Sequence, residues 1–321
     1  MLVSIVRNSC RNGSLRSSFN VQRFEIYRSF RTDSRTSRIS QKRVSLREKL
    51  MQPATETPFN IGNGALIGGS VVGIGALCYY GLGLSNEVGA VEKSYLWSQN
   101  VRDRISTTYS YFGGSLLITA ASAVSAFRSP ALMNIVARPG LMGLIGCVVV
   151  SFGSLMLVHN IPYKEGFGPK QMAWIFQSSV MGVMLAPLCF VGGPILVRAA
   201  LYTAGIFGGL STIAVCAPSE KYLMLGGPLA MGLGAVFVSS LGSMFLPPTT
   251  ALGASLYSFS LYGGLLLFSA LVLYDTQKII KHAEHEMIPF DPINHSLSIY
   301  MDAMNIFIRL VSILTGGNRK K

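Results

Sequence analysis

Two aspartates set in apolar surroundings are the residues of this chain best placed to do chemistry. Asp275 closes the run Leu271-Val272-Leu273-Tyr274, and Asp302 lies inside the apolar stretch Ile293 to Leu314. An ionisable residue within a membrane-length apolar segment is costly and by default marks an ion or proton pathway. Ser298, Asp302, Asn305, Arg309 and Ser312 follow one another at intervals of 4, 3, 4 and 3, which places all five on one helix face. The opposite face carries Ile299, Met301, Ile306, Ile308 and Leu310. A polar stripe of this length must face protein or a water-filled path, because lipid offers it no partners. Pro289 and Asp291-Pro292 mark a turn near Glu286 to Ile293. Asp275 lies eleven residues before Glu286 and Asp302 nine residues after Ile293. At about 1.5 Å per residue both sit roughly 14–17 Å from the turn, at similar depth on adjacent antiparallel helices.

Two neighbouring carboxylates cannot both ionise cheaply, so they titrate as a unit. Such a pair holds a proton or a cation, and binding one displaces the other. That is the chemistry of a pH-gated cation pathway or a cation/proton exchanger. Hard cations such as Ca²⁺ prefer carboxylate and carbonyl oxygen, so Asp275 and Asp302 are the candidate transient Ca²⁺ ligands. Asn305 and Arg309 are read as lining or tuning the pathway. The competing reading is a buried polar network, Asp302 with Arg309, that only locks the bundle. Two carboxylates against one arginine leave acidic charge uncompensated, which favours the pathway.

The elements that position these residues follow from the distribution of charge. Of 321 residues, 50% are hydrophobic and 13% charged, against about 25% charged in average globular domains; mean hydropathy is +0.44. A soluble enzyme and a disordered chain are both disfavoured. Stretches free of Asp, Glu, Lys and Arg run over 57–86, 105–127, 139–163, 171–197, 199–219 and 222–274. Each of the first five matches the ~20 residues needed to cross a bilayer. Pro247-Pro248 divides the last into spans near 222–246 and 255–274, and Ile293 to Leu314 adds an eighth. The fold class read from this pattern is an all-α integral membrane protein.

The net charge of +13 is concentrated at the start. Residues 1–50 hold 12 Lys/Arg and 3 Asp/Glu, and the remaining 271 residues hold 15 and 11. A nucleic-acid binder would spread its basic face over the fold, so no nucleic-acid partner is expected. Residues 1–50 are Arg-rich, Ser-rich and acid-poor, the signature of a mitochondrial transit peptide, with a candidate processing site at Arg28-Ser29-Phe30. A membrane potential draws such a segment toward the negative matrix with about 2.3 kcal/mol per charge per 100 mV. Residues 51–90 then read as a linker and first span, and 91–321 as a seven-helix membrane domain. Eight spans put both termini on one side. That side has thirteen basic residues (Arg31 to Lys49, Arg128, Arg138, Arg198 and Arg319-Lys320-Lys321) against eight opposite, among them Lys93, Lys164, Lys170 and Lys278. The bias assigns both termini to the matrix.

Glycines Gly69 and Gly73, and Gly205 and Gly209, form small-xxx-small pairs, read here as sites of close intramolecular helix packing. The five cysteines are scattered, with no C-x-x-C, so neither a disulfide nor a structural metal site is expected. His282-Ala283-Glu284-His285-Glu286 matches neither H-E-x-x-H nor H-x-x-E-H and reads as a solvated helix end.

Leu273-Tyr274-Asp275-Thr276-Gln277-Lys278-Ile279, followed by Ser298-Ile299-Tyr300-Met301-Asp302-Ala303-Met304-Asn305-Ile306-Phe307-Ile308-Arg309, resembles the end of the Bax inhibitor (TMBIM) family. Val101-Arg102-Asp103-Arg104-Ile105, before the second span, resembles the family's entry segment. The likeness covers roughly 95–321, and the transit-like N-terminus, the extra first span and Gly316-Gly317-Asn318-Arg319-Lys320-Lys321 resemble its mitochondrial branch. The resemblance implies a helix bundle around a central last helix, plus the additional N-terminal span. It implies a calcium leak gated by the aspartates that map onto Asp275 and Asp302. For the mitochondrial branch it implies Ca²⁺/H⁺ or K⁺/H⁺ exchange in the inner membrane, cristae organisation and resistance to apoptosis. The partners are then membrane lipids, Ca²⁺, H⁺ and K⁺, and respiratory or cristae proteins; no cofactor is implied. Some relatives carry an arginine in the helix equivalent to 139–163 that pairs with the aspartates. This chain has none there, and Arg309 is the candidate substitute.

Two other classes compete. Tyr274-Asp275 matches half of a presenilin-like aspartyl protease signature, but the Gly-x-Gly-Asp half is absent, since Asp302 follows Ile-Tyr-Met. No enzymatic activity is therefore expected. A non-transporting cristae scaffold is the second, and such a scaffold would tolerate Asn at position 302. The N-terminal reading has its own test: sequencing the mature protein from mitochondria should find a start well past Met1, near residue 30. An intact Met1 on protein from reticulum fractions would refute import.

Overall fold

The computed structural model describes residues 51–53, 56–81, 97–136, 141–216, 222–247, 249–285 and 289–318. The basic segment 1–50, Cys10, Lys93 and the tail Arg319-Lys320-Lys321 lie outside them. Ten α-helices carry the described chain: α1 Thr57–Ala76, α2 Gln99–Arg128, α3 Pro130–Val136, α4 Leu141–Asn160, α5 Pro169–Leu185, α6 Gly193–Cys216, α7 Gly226–Phe245, α8 Ala251–Ser258, α9 Gly264–Glu284 and α10 Pro292–Asn318. No strand occurs among the described residues. Seven membrane-length apolar helical segments are present there, and α4 contributes a shorter apolar run, Ile145–Asn160. The expected span 139–163 is thus present among the described residues as a helix, α4, of 20 residues whose apolar run is shorter than the other seven.

Local chemistry sets the boundaries. Proline lies in the first turn of α1 and α5, where its missing N–H costs nothing. α5 tightens into a 3₁₀ segment, Ala186–Val191, and stops at Gly192. Gly192 has φ +105°, a conformation that β-carbon sterics deny to most other residues. Thr250 caps α8, its hydroxyl oxygen accepting from the Gly253 N–H at 3.2 Å.

The seventh span is longer than its charge-free stretch. Helix α8 runs through a π-helical turn, Phe259–Gly263, directly into α9, so one segment extends over Ala251–Glu284 rather than stopping near 274. Counting charges ends the span at Asp275. The backbone ladder has no reason to end there, because Asp275 is only 8% exposed and has protein, not lipid, beside it.

Helix α10 is the axis. From Pro292 to Thr315 none of its residues is exposed, and it packs against α2, α6 and α9. Ile299, Ile306 and Val311 join Phe207 of α6 and Phe268 and Val272 of α9 in one apolar cluster. Ile293, Leu297, Tyr300 and Met304 join Val158 of α4 and Trp174 of α5 in another. Polar ties fix the register between them. The Thr119 hydroxyl donates to the Ser178 carbonyl at 3.1 Å and lies 2.7 Å from the Tyr300 hydroxyl. Trp174 Nε1 donates to Ser115 Oγ at 2.7 Å. The outside of the bundle is the reverse: Ile67, Val72, Val149, Val238 and Phe245 are each more than 60% exposed. Large exposed apolar surface of this kind marks contact with a membrane.

The glycine pairs read as close-packing sites behave differently. A β-carbon at Gly69 would come within 2.8 Å of Leu266, but Gly73, Gly205 and Gly209 have open space where their side chains would be. Spacing shows only which residues share a face; the neighbouring helix decides whether that face is occupied. The tight crossing is at Gly182, where α5 meets α2. A β-carbon there would stand 1.8 Å from Ser122 Oγ and 2.4 Å from the Thr119 carbonyl oxygen. Gly182→Val should therefore destabilise the bundle by about 1–3 kcal/mol or more, read as a lower thermal midpoint in detergent. Gly73→Ala should leave that midpoint unchanged or slightly raised.

Candidate functional site

Helices α9 and α10 run antiparallel through the α9–α10 turn, and their seam brings Asp275 and Asp302 within hydrogen-bond reach of each other. They are 8% and 6% exposed. The Ser298 hydroxyl, one turn before Asp302, donates to Asp275 Oδ2. Asp302 Oδ2 is buried without a hydrogen-bond partner among the described residues. Two carboxyls in contact, away from water, need a shared proton or a bound cation to be stable together.

Arg309 does not complete the pair. It lies seven residues beyond Asp302, about 10 Å along the helix, and its guanidinium is used elsewhere. Its Nε donates to the Ser260 carbonyl at 3.2 Å, and its Nη1 donates to Asn305 Oδ1 at 3.1 Å. The guanidinium carbon sits 4.7 Å from the centre of the Phe268 ring. Ser260 belongs to the π-turn, where the regular hydrogen-bond ladder is interrupted. Gly264 supplies the room, since a β-carbon there would stand 2.1 Å from Arg309 Nε. Asn305 Nδ2 donates to the Met301 carbonyl at 2.9 Å. Asn305, one turn past Asp302, and Arg309, two turns past it, thus form a unit of their own, and Ser312 donates to its own helix at Ile308.

The cation that does act on Asp275 is Lys278, one turn further along α9. Lys278 also bears on His282 and His295. His282 Nδ1 lies 3.2 Å from His295 Nε2, and His295 stacks on Phe290 with ring centres 5.1 Å apart. The Arg104 guanidinium covers the Phe290 ring at 5.6 Å and donates to the Ala283 carbonyl at 3.0 Å. His282 is therefore not part of a solvated helix end; Glu284 and His285 are the exposed residues there. The His282–His295 pair was not legible beforehand, because thirteen residues and a turn separate its members. Their sequence positions, 282 and 295, nonetheless sum to the same register as 275 and 302 in an antiparallel pair, and that was the available signal.

The turn itself is held by Asp291. Its Oδ1 accepts from the N–H groups of Ile293 at 3.2 Å and Asn294 at 3.1 Å, capping α10. Its Oδ2 pairs with Lys170, a side chain only 1% exposed at the start of α5. Four cysteines, Cys78, Cys147, Cys189 and Cys216, are free thiols on separate elements.

A multi-pass helical bundle wrapped around its last helix, with two carboxyls in contact on the innermost seam, defines an integral membrane protein built about an intramembrane acidic pair. A family model described as "Inhibitor of apoptosis-promoting Bax1" matches residues 101–320, and the chain belongs to this Bax inhibitor family. It is 54% identical to growth hormone-inducible transmembrane protein of Rattus norvegicus, over 86% of this chain and 82% of that protein. It is 31% identical to Bax inhibitor 1 of Oryza sativa subsp. japonica, over 61% of this chain and 74% of the relative. With Bax inhibitor 1 of Mus musculus the identity is 37%, over 57% and 75%. Helix α1 precedes the region matched by the family model.

The Lys170–Asp291 contact yields a stability prediction. Asp291→Ala strands a buried ammonium and removes the α10 cap together, so unfolding should become easier by about 3–5 kcal/mol. Lys170→Met should cost clearly less, because it leaves a half-exposed carboxylate still serving as cap. Thermal unfolding of the two variants in one detergent checks the order.

Proposed function

We propose that this protein is a cation channel or cation/proton exchanger of the mitochondrial inner membrane, moving Ca²⁺ or K⁺ against H⁺ through the Asp275–Asp302 pair. The observation that carries the reading is the buried contact between the two carboxyls, with an unpartnered oxygen on Asp302. A pair that must hold either a proton or a cation exchanges one for the other as pH or cation concentration changes. Lys278 and the His282–His295 pair continue this seam toward the exposed end of α9. Neutral imidazoles relay protons, whereas the Lys278 ammonium repels metal cations, so this end serves proton access. Asn305 and Arg309 steady the other side of the site by tying α10 to the π-turn.

The location rests on residues 1–50, read as an import segment ahead of the first span in 51–90 and the family domain in 91–321. With both termini in the matrix, the His282–His295 end faces the intermembrane space. The family model's description supports a role in resistance to apoptosis, and control of matrix cation load is the physical route to it.

Purified protein in dye-loaded liposomes, with Ca²⁺ and K⁺ compared under an imposed pH gradient, tests the mechanism. Asp302→Asn and Asp275→Asn should each shift or abolish pH-dependent flux, and the double variant should be no worse than the more damaged single one, as expected of groups acting as one unit. A locking network would instead reduce folding yield while leaving flux per folded molecule normal. Wild-type pH dependence in both folded single variants would refute the two-aspartate mechanism.

A further inference from the structure

The wall of the bundle has a gap in it. Helices α2 and α6 both pack along α10, but a cleft of about 660 Å³ separates them. Its lining follows helical spacing on each side: Leu116, Ala120 and Ala123 of α2, and Val197, Ala200 and Ala204 of α6. The floor is Ala303, Met304 and Phe307 of α10. Phe112 and Phe207 stack at 4.7 Å and close the inner end. The other end lies at Val124 and Gly193, beside the 3₁₀ segment Ala186–Val191. From Phe112 to Val124 on α2 and from Gly193 to Phe207 on α6, the cleft runs for about 18–21 Å. α2 finishes and α6 starts at its outer end, so the cleft begins near a membrane face and stops near the middle of both helices. That reach is comparable with one leaflet of hydrocarbon, about 15 Å.

The lining selects the occupant. No charged side chain is among the described lining residues. Thr119 and Thr203 bring hydroxyls to it, but both are committed. The Thr119 hydroxyl bonds the Ser178 carbonyl and Tyr300, and the Thr203 hydroxyl bonds the Ala199 carbonyl. Water and ions gain nothing there, since an apolar cavity stays dry. An empty gap is no better, because each atom on its wall forgoes close contacts. Width decides among apolar occupants. A volume of about 660 Å³ spread over about 20 Å makes a channel roughly 6–7 Å across, whereas a helix from a second copy needs about 10–12 Å. A single hydrocarbon chain fits. The neighbouring outer positions Leu117 and Leu201 are 74% and 66% exposed, so the bilayer itself stands at the mouth.

We infer that the cleft is a site for one acyl chain of a membrane phospholipid, inserted lengthwise between α2 and α6. The chain ends at the Phe112–Phe207 stack and lies along Ala303, Met304 and Phe307. Recognition is by shape and apolarity, so the headgroup stays outside and its charge is immaterial. Ala303 and Met304 directly follow Asp302, so occupancy bears on the helix that carries the acidic pair, although the site stands independently of any transport reading. Met304 is only 6% exposed, and α10 has no exposed residue from Pro292 to Thr315. A lipid chain that touches Met304 has therefore come through the cleft.

Photolabelling of the full chain tests the site. The protein is reconstituted into phosphatidylcholine vesicles containing a phosphatidylcholine with a diazirine on one acyl chain, and the labelled peptides are mapped after photolysis. In the wild type, label should fall on Met304 or Phe307 of α10 as well as on the outer positions Leu117 and Leu201. Ala204→Trp fills the cleft from α6 and should abolish the α10 label while the label at Leu117 and Leu201 persists. Ala120→Phe fills it from α2 and should do the same, so the test survives if one variant fails to fold; thermal midpoints identify the folded ones. Wild-type label at Leu117 and Leu201 with none on α10, the result expected of a cleft holding water or another copy of the chain, would overturn the site. Undiminished α10 label in a folded, filled variant would overturn it equally.

Discussion

Hydrocarbon provides no partner for a charge or a polar side chain, and the whole architecture answers that constraint on α10. This helix carries two hydroxyls, a carboxyl, an amide and a guanidinium along one face. Facing lipid, each would be stranded at a cost of several kcal/mol. The bundle therefore gathers around α10: α9 covers the polar face, while α2, α4, α5 and α6 pack against the rest. The lipid-facing surface is left to Ile, Val, Leu and Phe, which hydrocarbon accepts without penalty.

Within that wrapping, several polar groups of α10 are matched to particular groups on the neighbouring helices. The π-turn supplies the Ser260 carbonyl to Arg309, and Gly264 leaves space for the guanidinium. Ser298 serves Asp275. Asp291 caps α10 and pairs with Lys170 in one arrangement, so the turn that sets the α9–α10 register is itself anchored to α5. Asp302 Oδ2 on α10 is buried without a partner among the described residues, as are Thr276 Oγ1 on α9 and Asn294 Oδ1 at the start of α10. A buried, unanswered carboxyl oxygen beside a second carboxyl is the costliest of these defects, and functional sites retain defects of this kind; it is the reason the acidic pair, not the polar stripe as a whole, carries the functional reading.

The two ends of the seam differ in kind. Toward the turn lie Lys278 and the stacked His282, His295 and Phe290 rings, roofed by Arg104. Away from it lie Asn305 and Arg309, closed off by Phe268. Histidines thus continue the seam in one direction only. An apolar cleft between α2 and α6 is lined by Ala303 and Met304 of α10, just past Asp302.

The sequence by itself determined the membrane class and the matched positions of the acidic pair on two antiparallel helices. Hydrophobic length and charge position are one-dimensional quantities, and a turn near residue 290 fixes how two antiparallel helices align. It also placed Ser298, Asp302, Asn305, Arg309 and Ser312 on one face, because helical periodicity is local. What it left open was which groups on that face meet. Arg309 read as a partner for Asp302, yet it turns to a carbonyl freed in a π-turn that no charge count or periodicity encodes. The small-xxx-small pairs were equally ambiguous: Gly69 is packed while Gly73, Gly205 and Gly209 are open, and the tight crossing lies at Gly182. His282 and His295, which read as a solvated end and an unremarked helix residue, became neighbours. These outcomes depend on how one helix is rotated and offset against another. That is decided by the packing of whole faces, by summed close contacts among many side chains, and so belongs to the tertiary structure alone.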